Sequence, residues 1–233
     1  MLMRVIRRTW AAAEIASVET LFYRGGSLKR EHAGLLDLPV ADDLANTGRK
    51  TIACFEHVLE HHRFDLVFRT NCSSYVDLEN LRSYVDQHAR PERFYAGSTA
   101  VHDGVPFASG SGYFLSRDLV ELVVRERESW NHSELDDAAL GAVLARNGIE
   151  PEPAPRRDYG RRGDVREVDT SQFHFRCRTD SWRRLGDARI MIALDRAFRE
   201  GRGQPVAFEL RAVAALERLG RQARSLPGMV RSR

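Results

Sequence analysis

Apolar residues along the chain follow two different periods, and their alternation predicts an α/β protein. Apolar positions three or four residues apart indicate helices at residues 4–14, 43–62, 77–88, 117–127, 136–147, 187–198 and 208–219. Short apolar runs that end at glycine or polar residues indicate strands at residues 18–23, 64–68, 93–97, 112–115 and 173–177. The stretch 151–163 is rich in proline, glycine and arginine and indicates a surface loop.

Length and composition narrow the class of protein. The 233 residues suit one domain with an appendage, and 42% hydrophobic residues are enough to bury a core. We expect one domain over residues 1–180 and a helical extension over residues 181–233, whose arginine-rich end at 221–233 frays. The formal net charge of +3 is near balance, so the bulk charge gives no reason to expect nucleic acid as a partner.

The cysteines and the hydropathy pattern bear on the location of the protein. Cys54, Cys72 and Cys177 are isolated and lack the spacing of a disulfide framework or a zinc knuckle. The chain has no run of about 18 apolar residues, and its basic start is too short in apolar length for a secretory signal. We therefore expect a cytoplasmic protein. A basic amphipathic helix at residues 206–219 could touch the inner face of the membrane, and the alternative for this segment, which we favour, is a helix packed on the core.

Four short segments occur in a fixed order. They are Arg-Val-Ile-Arg-Arg-Thr-Trp at 4–10, Arg-Thr-Asn-Cys-Ser-Ser-Tyr-Val-Asp-Leu at 69–78, Ser-Gly-Ser-Gly-Tyr-Phe-Leu-Ser-Arg at 109–117 and Asp-Asp-Ala-Ala-Leu-Gly at 136–141. Each segment alone is explained equally well by a helix cap, a glycine-rich turn or acids at a helix start. Together they resemble the family of inverting glycosyltransferases that contains the β-1,3-galactosyltransferases and Fringe.

This resemblance covers about residues 1–178 and implies a GT-A fold, a mixed and mostly parallel twisted sheet flanked by helices. It implies transfer of a hexose from a UDP-linked sugar to a hydroxyl of a glycan or glycolipid, with inversion. In the family a nucleotide-binding strand precedes the segment that matches residues 4–10. Only a few residues precede it here, so we expect either an upstream start or a sheet without this first strand.

Asp137 is the general base that the resemblance implies. The second Asp of the family's Asp-Asp-x-x-x-Gly takes the proton of the acceptor hydroxyl as that hydroxyl attacks the anomeric carbon. Asp136 would orient the site. Residues 109–113 resemble the family's Gly-Gly-x-Gly-Tyr, which implies that Gly110, Gly112 and Tyr113 contact the acceptor sugar, since small residues allow a close approach.

The donor site is where this chain departs from the family. The family reads Lys-Thr-Asp-Asp-Asp at the positions of residues 69–73, and its carboxylates hold Mn²⁺ against the donor diphosphate. Asn71, Cys72 and Ser73 replace those carboxylates here, and amide and hydroxyl oxygens alone are poor ligands for a hard cation. The sequence therefore predicts weakened or absent Mn²⁺ dependence, with Arg69, Asn71 and Ser73 lining the donor site.

Arg176 is the residue that we expect to compensate for the lost metal. The late Phe-His-x-His of Fringe aligns with Phe-His-Phe-Arg at residues 173–176, which places Arg176 where that sequence has a metal ligand. His174 is the remaining ligand candidate if a metal binds. Arg176, helped by Arg178, would hold the diphosphate by bidentate hydrogen bonds. The alternative is that His174 and Arg176 are ordinary strand or surface residues.

Arg7 and Lys50 complete the donor site implied by the resemblance. Arg7 belongs to a match with the family's Ile-Arg-x-Thr-Trp. Asp42, Asn46 and Lys50 match its Asp-x-x-x-Asn-x-x-x-Lys spacing, which would place them on one face of a helix. The alternative for these three residues is a solvated helix face.

Two other functions remain open. The replaced carboxylates favour a non-catalytic relative that binds a nucleotide or glycan, or that serves as the partner subunit of an active transferase. His57, Glu60 and His61 form His-x-x-Glu-His, a pattern of some zinc proteases, which leaves a zinc hydrolase as a third hypothesis.

Overall fold

The computed structural model describes residues 1–26, 30–160, 165, 168–179 and 184–204. Its helices are α1 (Leu2–Ile6), α2 (Thr47–His61), α3 (Leu78–His88), α4 (Arg117–Arg125), α5 (Asp136–Arg146) and α6 (Leu185–Gly201). Single turns of 3₁₀ helix lie at Trp10–Ala12 and Arg127–Ser129. The helices predicted between residues 43 and 147 are confirmed, with ends that differ by a few residues. The helix predicted at 208–219 and the arginine-rich end lie outside the described residues.

In the described part of the chain, ten strands form three small sheets. The strands are β1 (Phe22–Gly25), β2 (Arg30–His32), β3 (Leu35–Leu38), β4 (Leu66–Thr70), β5 (Ser74–Val76), β6 (Tyr95–His102), β7 (Val105–Ser116), β8 (Glu152–Pro153), β9 (Arg157–Tyr159) and β10 (His174–Cys177). Their orders are β1-β3-β2, β5-β10-β9 and β4-β7-β6-β8. The structure is therefore the α/β protein that the sequence predicts, with mixed sheets.

The expectation of mostly parallel strands is wrong for the described part of the chain. Only the pairs β1–β3, β9–β10 and β6–β8 are parallel. The pairs β2–β3, β5–β10, β4–β7 and β6–β7 are antiparallel. The physical reason is a tight turn at Asp103 and Gly104, both with positive φ, which joins β6 to β7 directly as an antiparallel hairpin.

The four-stranded sheet is buried on both of its faces. Side chains alternate along a strand, so Phe94, Ala96 and Phe114 enter one hydrophobic cluster, while Tyr95 and Leu115 enter a second cluster on the opposite face. Tyr84 of α3 stacks on Phe114 at the first face, and helices α4 and α5 cover the second. Burial on both faces fixes the register of β6 and β7, because a shift by one residue would exchange the two faces.

The predicted boundary near residue 180 separates two parts of the chain that share one core. Ile190, Met191 and Leu194 of α6 are buried in the same cluster as Phe175 of β10. Phe198 of α6 also stacks on Tyr75, with ring centroids 5.6 Å apart. The described part of the predicted extension is thus packed on the strands.

The helix predicted at residues 4–14 is interrupted. Thr9 has φ −111° and ψ −117°, and its hydroxyl donates to the carbonyl of Val5, so α1 ends at Ile6. This break lets the indole of Trp10 donate to the carbonyl of Ser74 at 3.2 Å. The segment at residues 4–10 is therefore tied to β5, a strand that the sequence did not predict.

The stretch at residues 151–163 also differs from the predicted loop. It contains β8 and β9, which pair with β6 and β10. None of the described helices is long and apolar enough to cross a membrane.

Candidate active site

An irregular stretch of β7 forms the centre of the candidate site. Tyr113 pairs with Gly97 and Ala108 pairs with Thr99, so residues 109–112 of β7 stand opposite the single residue Ser98 of β6. A bulge of this kind frees backbone groups from the sheet ladder. The amide and carbonyl groups of residues 110 and 111 thus become available to side chains from other elements.

Asp137 is held by one of these freed amides. Its Oδ2 accepts a hydrogen bond from the Gly110 amide at 2.7 Å, and its Oδ1 accepts one from the Ala138 amide at 3.0 Å. The side chain is partly exposed. Because a carboxylate oxygen can accept two hydrogen bonds, Asp137 keeps capacity for a further donor, such as a substrate hydroxyl.

Gly141 explains how α5 brings Asp137 close to β7. A Cβ atom at Gly141 would lie 2.4 Å from the Cβ of Phe107 and 3.1 Å from the carbonyl oxygen of Pro106. Only glycine therefore allows α5 to pack this closely against β7. Asp137 and Gly141 are four residues apart and lie on the same face of the helix, so the Asp-Asp-x-x-x-Gly spacing has a packing reason.

Arg69 connects the other carboxylate to the same bulge. Its guanidinium donates to Oδ2 of Asp136 at 2.8 Å, to the carbonyl of Gly110 at 2.6 Å and to the hydroxyl of Tyr23 at 3.1 Å. Burial alone would lower the pKa of Arg69, but the oxygens of Tyr23 and Tyr113 and the carboxylate of Asp136 raise it overall. Arg69 is a fixed, buried cation that joins β4, β7 and α5.

The backbone carbonyl of Ser111 accepts hydrogen bonds from three side chains. The hydroxyls of Thr70 and Ser74 donate to it at 2.6 and 2.7 Å, and the Nε2 of His174 lies 3.1 Å from it. His174 is buried, and burial lowers its pKa to about 3, with a further contribution from the charge of Arg156. His174 is therefore neutral at physiological pH, and its Nε2–H is the donor to the carbonyl.

An arginine cluster borders the bulge on the side of β9 and β10. Arg156 donates to both carboxylate oxygens of Asp158, at 2.6 and 3.1 Å, and to the hydroxyl of Ser111 at 2.8 Å. Arg176 lies opposite Asp158 in the parallel ladder, with its Nη1 3.9 Å from the carboxylate. Asp158 is thus shared by two guanidinium groups.

The guanidinium of Arg176 is less completely hydrogen-bonded than that of Arg156. Its Nε is buried without a hydrogen-bond partner among the described residues. Burial lowers the pKa of Arg176, and the charges of Arg156 and Arg178 lower it further, against the opposing effects of Asp158 and Asp137. A cation in these surroundings would be stabilised by an additional anion.

Asn71 and Ser73 form a tight turn beside the bulge. The Asn71 side chain accepts from the Ser73 amide at 2.9 Å and donates to the Gly110 carbonyl at 3.2 Å. The Ser73 hydroxyl accepts a hydrogen bond from Arg184 at 2.7 Å. The turn therefore brings one more arginine to the segment that replaces the family's carboxylates.

These residues do not fit a divalent cation bound in the family manner. Residues 71–73 contribute no carboxylate, and the Asn71 and Ser73 oxygens already accept hydrogen bonds. His174 uses Nε2 as a donor, which excludes that nitrogen as a ligand. Within the described ranges, no group of three His, Cys, Asp or Glu side chains converges here.

The structure brings several predicted site residues together and places others apart. Hydrogen bonds join Arg69, Asn71, Gly110, Asp136 and Asp137 into one cluster. Their roles in catalysis or binding remain predictions.

Arg7 and Lys50 have partners outside this cluster. Arg7 lies 4.8 Å from the ring centroid of Phe22, and Lys50 forms an ion pair with Asp42 at 2.8 Å. The expected common helix face of Asp42, Asn46 and Lys50 is wrong, because α2 begins only at Thr47. Asn46 instead donates to Asp43.

Gly112 and Tyr113 are buried at the point where β7 leaves the irregular stretch and resumes regular pairing. A Cβ atom at Gly112 would lie 2.4 Å from the ring of His174 and 2.6 Å from Phe68, so glycine is required for packing. The Tyr113 ring lies under the Arg69 guanidinium, 5.6 Å from its carbon. Their predicted contact with an acceptor remains a prediction, whereas Gly110 stands beside both carboxylates.

Sequence reasoning missed Arg156, Asp158 and Tyr23. The first two lie in the stretch predicted as a loop, and their only signal was its density of charged residues. Tyr23 contacts Arg69 from a separate sheet, and no local sequence pattern predicts such a contact.

Comparisons with known proteins address the region that carries these carboxylates. Residues 97–155 match the family model described as galactosyltransferase. The chain is also 30% identical over 158 residues to β-1,3-galactosyltransferase 6 of the mouse, Mus musculus. That alignment covers 57% of this chain and 48% of the mouse protein, so the chain spans about half the length of this relative.

The matched region contains four of the residues at which α5 approaches β7. Gly110, Asp136, Asp137 and Gly141 all lie within residues 97–155. The chain is thus similar to galactosyltransferases in the segment where α5 meets β7.

Proposed function

We propose that this protein is an inverting glycosyltransferase that transfers a hexose from a UDP-linked sugar to a hydroxyl of a glycan or glycolipid. The observation that carries the proposal is the Asp137 carboxylate, fixed by the Gly110 amide within the galactosyltransferase-like segment. The arginine cluster beside it supplies the complementary charge for a diphosphate. The roles of individual residues below are part of the proposal.

Asp137 is the general base in this mechanism. The acceptor oxygen attacks the anomeric carbon as Asp137 removes its proton, and the bond from that carbon to the diphosphate oxygen breaks with its electron pair. The products are a glycoside of inverted configuration, a nucleoside diphosphate and a protonated Asp137, which returns the proton to water. The two amide hydrogen bonds hold the carboxylate in one orientation, which favours a productive geometry.

Asp136 and Arg69 position the base without taking part in proton transfer. Their ion pair at 2.8 Å fixes the first turn of α5 to β4, and the second guanidinium nitrogen holds the Gly110 carbonyl. Arg69 therefore fixes the peptide whose amide binds Asp137.

Arg176 and Arg156 bind the donor diphosphate. Guanidinium groups form paired, charge-assisted hydrogen bonds with phosphate oxygens. Such fixed cations stabilise the negative charge that develops on the leaving diphosphate. The buried Nε of Arg176, which lacks a partner among the described residues, would gain one from the ligand.

The first experiment measures sugar release and UDP formation from a panel of nucleotide sugars with the wild-type chain and Asp137→Asn. Asparagine can still accept the Gly110 hydrogen bond but cannot remove a proton. We expect UDP binding to be retained and turnover to fall by about 10²- to 10⁴-fold. Equal turnover by both proteins would exclude Asp137 as the base. UDP binding without turnover by the wild type would instead favour the non-catalytic nucleotide-binding relative.

The second experiment measures UDP affinity by calorimetry for Arg176→Gln. Arg157→Gln is the matched control, because it removes the same charge from the neighbouring strand, where successive side chains point to opposite faces. We expect at least a tenfold loss of affinity in Arg176→Gln and little change in the control, in buffer freed of manganese. Equal losses of UDP affinity in both variants would show that only the net charge matters. That result would contradict a specific contact between Arg176 and the diphosphate.

A further inference from the structure

A second polar cluster lies away from the candidate active site, between β2 and the end of α2. Glu31 of β2 meets His57 of α2 and His62, which directly follows the helix. One nitrogen of each histidine and one carboxylate oxygen all lie within 4.8 Å of one another. The individual separations are 2.7 Å from Oε2 of Glu31 to Nε2 of His57 and 3.3 Å to Nε2 of His62.

His57 is buried and His62 is half-buried, whereas Glu31 belongs to an exposed strand. Only 4% of the His57 side chain, 16% of His62 and 30% of Glu31 are exposed. The other ring nitrogen of His57 has no hydrogen-bond partner within the described part of the chain. All the described polar contacts of His57 are therefore directed towards Glu31.

The set of ligand atoms suits zinc. Imidazole nitrogen and carboxylate oxygen are ordinary zinc ligands at about 2.0–2.2 Å, and ligands of a tetrahedral ion then lie roughly 3.4 Å apart. The observed separations of 2.7 and 3.3 Å need only small side-chain adjustments to admit such an ion. Three protein ligands leave the fourth position to water.

Glu19 provides a second observation that indicates a metal site. Its Oε2 lies 3.2 Å from Nδ1 of His62, the ring nitrogen that does not face Glu31. A carboxylate on the outer nitrogen fixes the tautomer of a ligating histidine and is the usual outer-shell arrangement at zinc sites. His62 is thus oriented with Nε2 towards the cluster.

The local pattern His57, Glu60 and His61 is not the ligand set. Within the described ranges, the group that converges consists of Glu31, His57 and His62. The His61 side chain is exposed and stacks edge-on against the His57 ring at 4.3 Å. The carboxylate comes instead from a strand 26 residues earlier in the chain, as the Glu31–His57 contact records.

We propose that Glu31, His57 and His62 bind a zinc ion that clamps β2 onto α2. The clamp would stabilise the sheet β1-β3-β2, whose Tyr23 hydroxyl contacts both Arg69 and Thr51. The ion would cross-link β2 to α2, and the proposal does not depend on the proposed transferase function.

The test is calorimetric titration of the whole chain with zinc, together with its thermal unfolding midpoint. We expect binding of one ion and a higher unfolding midpoint in its presence. The double variant Glu31→Gln/His62→Gln should lose at least 100-fold in zinc affinity, and Glu19→Gln about tenfold. His102→Gln, an exposed histidine on β6, is the matched control and should bind zinc like the wild type.

These variants leave the buried His57 in place. A loss of zinc binding can therefore be distinguished from a loss of folding. Circular dichroism of each variant without zinc checks this point. The absence of stoichiometric zinc binding by the wild type would overturn the proposal. Equal zinc affinity in the wild type and the double variant would do the same, whatever the activity of the Asp137→Asn variant.

Discussion

The two adjacent carboxylates at the start of α5 have different partners, and those partners determine what each can do. Asp136 is committed to the buried guanidinium of Arg69. Asp137 accepts from two backbone amides and has no ion pair within the described part of the chain. Only the second carboxylate is free to approach a substrate hydroxyl. The choice of Asp137 as base therefore rests on geometry as well as on sequence resemblance.

Gly110→Ala tests the geometry around Asp137. A Cβ atom at this position would lie 3.1 Å from a guanidinium nitrogen of Arg69 and 3.2 Å from Oδ2 of Asp137, so both side chains must shift. We expect turnover to fall by about 10²-fold, because small displacements at a reacting centre are costly. Steady-state kinetics measures the effect. Gly160→Ala, whose Cβ would meet the Arg178 carbonyl at 4.0 Å and no other described atom within that distance, should retain activity.

His174 should make stability depend on pH. Its pKa is lowered to about 3 by burial and by Arg156, with Arg176 adding to the effect from the same strand. The unfolded chain binds a proton near pH 6.5, so stability is full above that pH and is lost as the pH falls towards 3. Between pH 7 and pH 5 the loss is about 2 kcal/mol.

His174→Gln removes this titration while keeping a side-chain donor for the Ser111 carbonyl. Urea unfolding at pH 7 and pH 5 would compare the two proteins. We expect the variant to lose about 2 kcal/mol less than the wild type over this interval. A parallel decline in both proteins would show that His174 is not the titrating group.

At the scale of elements, the contact between α5 and β7 sets the position of the site. Helix α5 approaches β7 at Gly141, and β7 bulges towards α5 at residues 109–112. Both features are needed for the Gly110 amide to reach Asp137. The glycines in this region are thus required for close packing rather than for chain flexibility.

Gly141→Ala should separate these two elements. The added methyl would meet the Cβ of Phe107 at 2.4 Å, so α5 must move outward. Overpacking of this kind costs about 1–3 kcal/mol and should also lower turnover by displacing Asp137. Thermal unfolding and kinetics check both effects. A Cβ atom at Gly201, at the end of α6, would have no atom of the described residues within 4 Å, so Gly201→Ala should leave stability and turnover near the wild-type values.

The sequence predicts elements whose periodicity is local and misses those that depend on distant partners. Helix α2 was predicted because its apolar face repeats over several turns. Strands β5 and β9 have three residues each and exist only through pairing with β10, which lies later in the chain. The candidate site shows the same difference. The spacing of a local motif predicts Asp137 as a site residue, whereas Arg156 reaches Ser111 only because β9 pairs with β10.

At the scale of the whole molecule, helix α6 packs on β5, the strand that directly follows residues 71–73. Arg202, just after α6, donates to both oxygens of Asp77 at 2.7 Å, and Asp77 also caps α3 through the Asn80 amide. This contact joins the last described helix to the strand that follows residues 71–73. The described C-terminal part is therefore expected to influence the donor site.

Asp77→Asn tests this connection. Asparagine keeps the helix cap but loses one charge-assisted contact with Arg202, which should lower the free energy of unfolding by about 1–2 kcal/mol. Chemical denaturation measures the change. Glu79→Gln is the control, because Glu79 pairs with the same arginine on an exposed side and should change stability by less than about 0.5 kcal/mol. Equal effects of the two substitutions would contradict a special role of Asp77.

Proton NMR of the sugar released from UDP-α-galactose most directly tests the central claim, that Asp137 drives an inverting displacement with arginine in place of manganese. The spectrum is followed from the first turnovers in buffer freed of manganese. We expect β-configured galactose as the first product, formed by the wild type and lost in Asp137→Asn. A first product of α configuration, or turnover that requires added Mn²⁺, would contradict it.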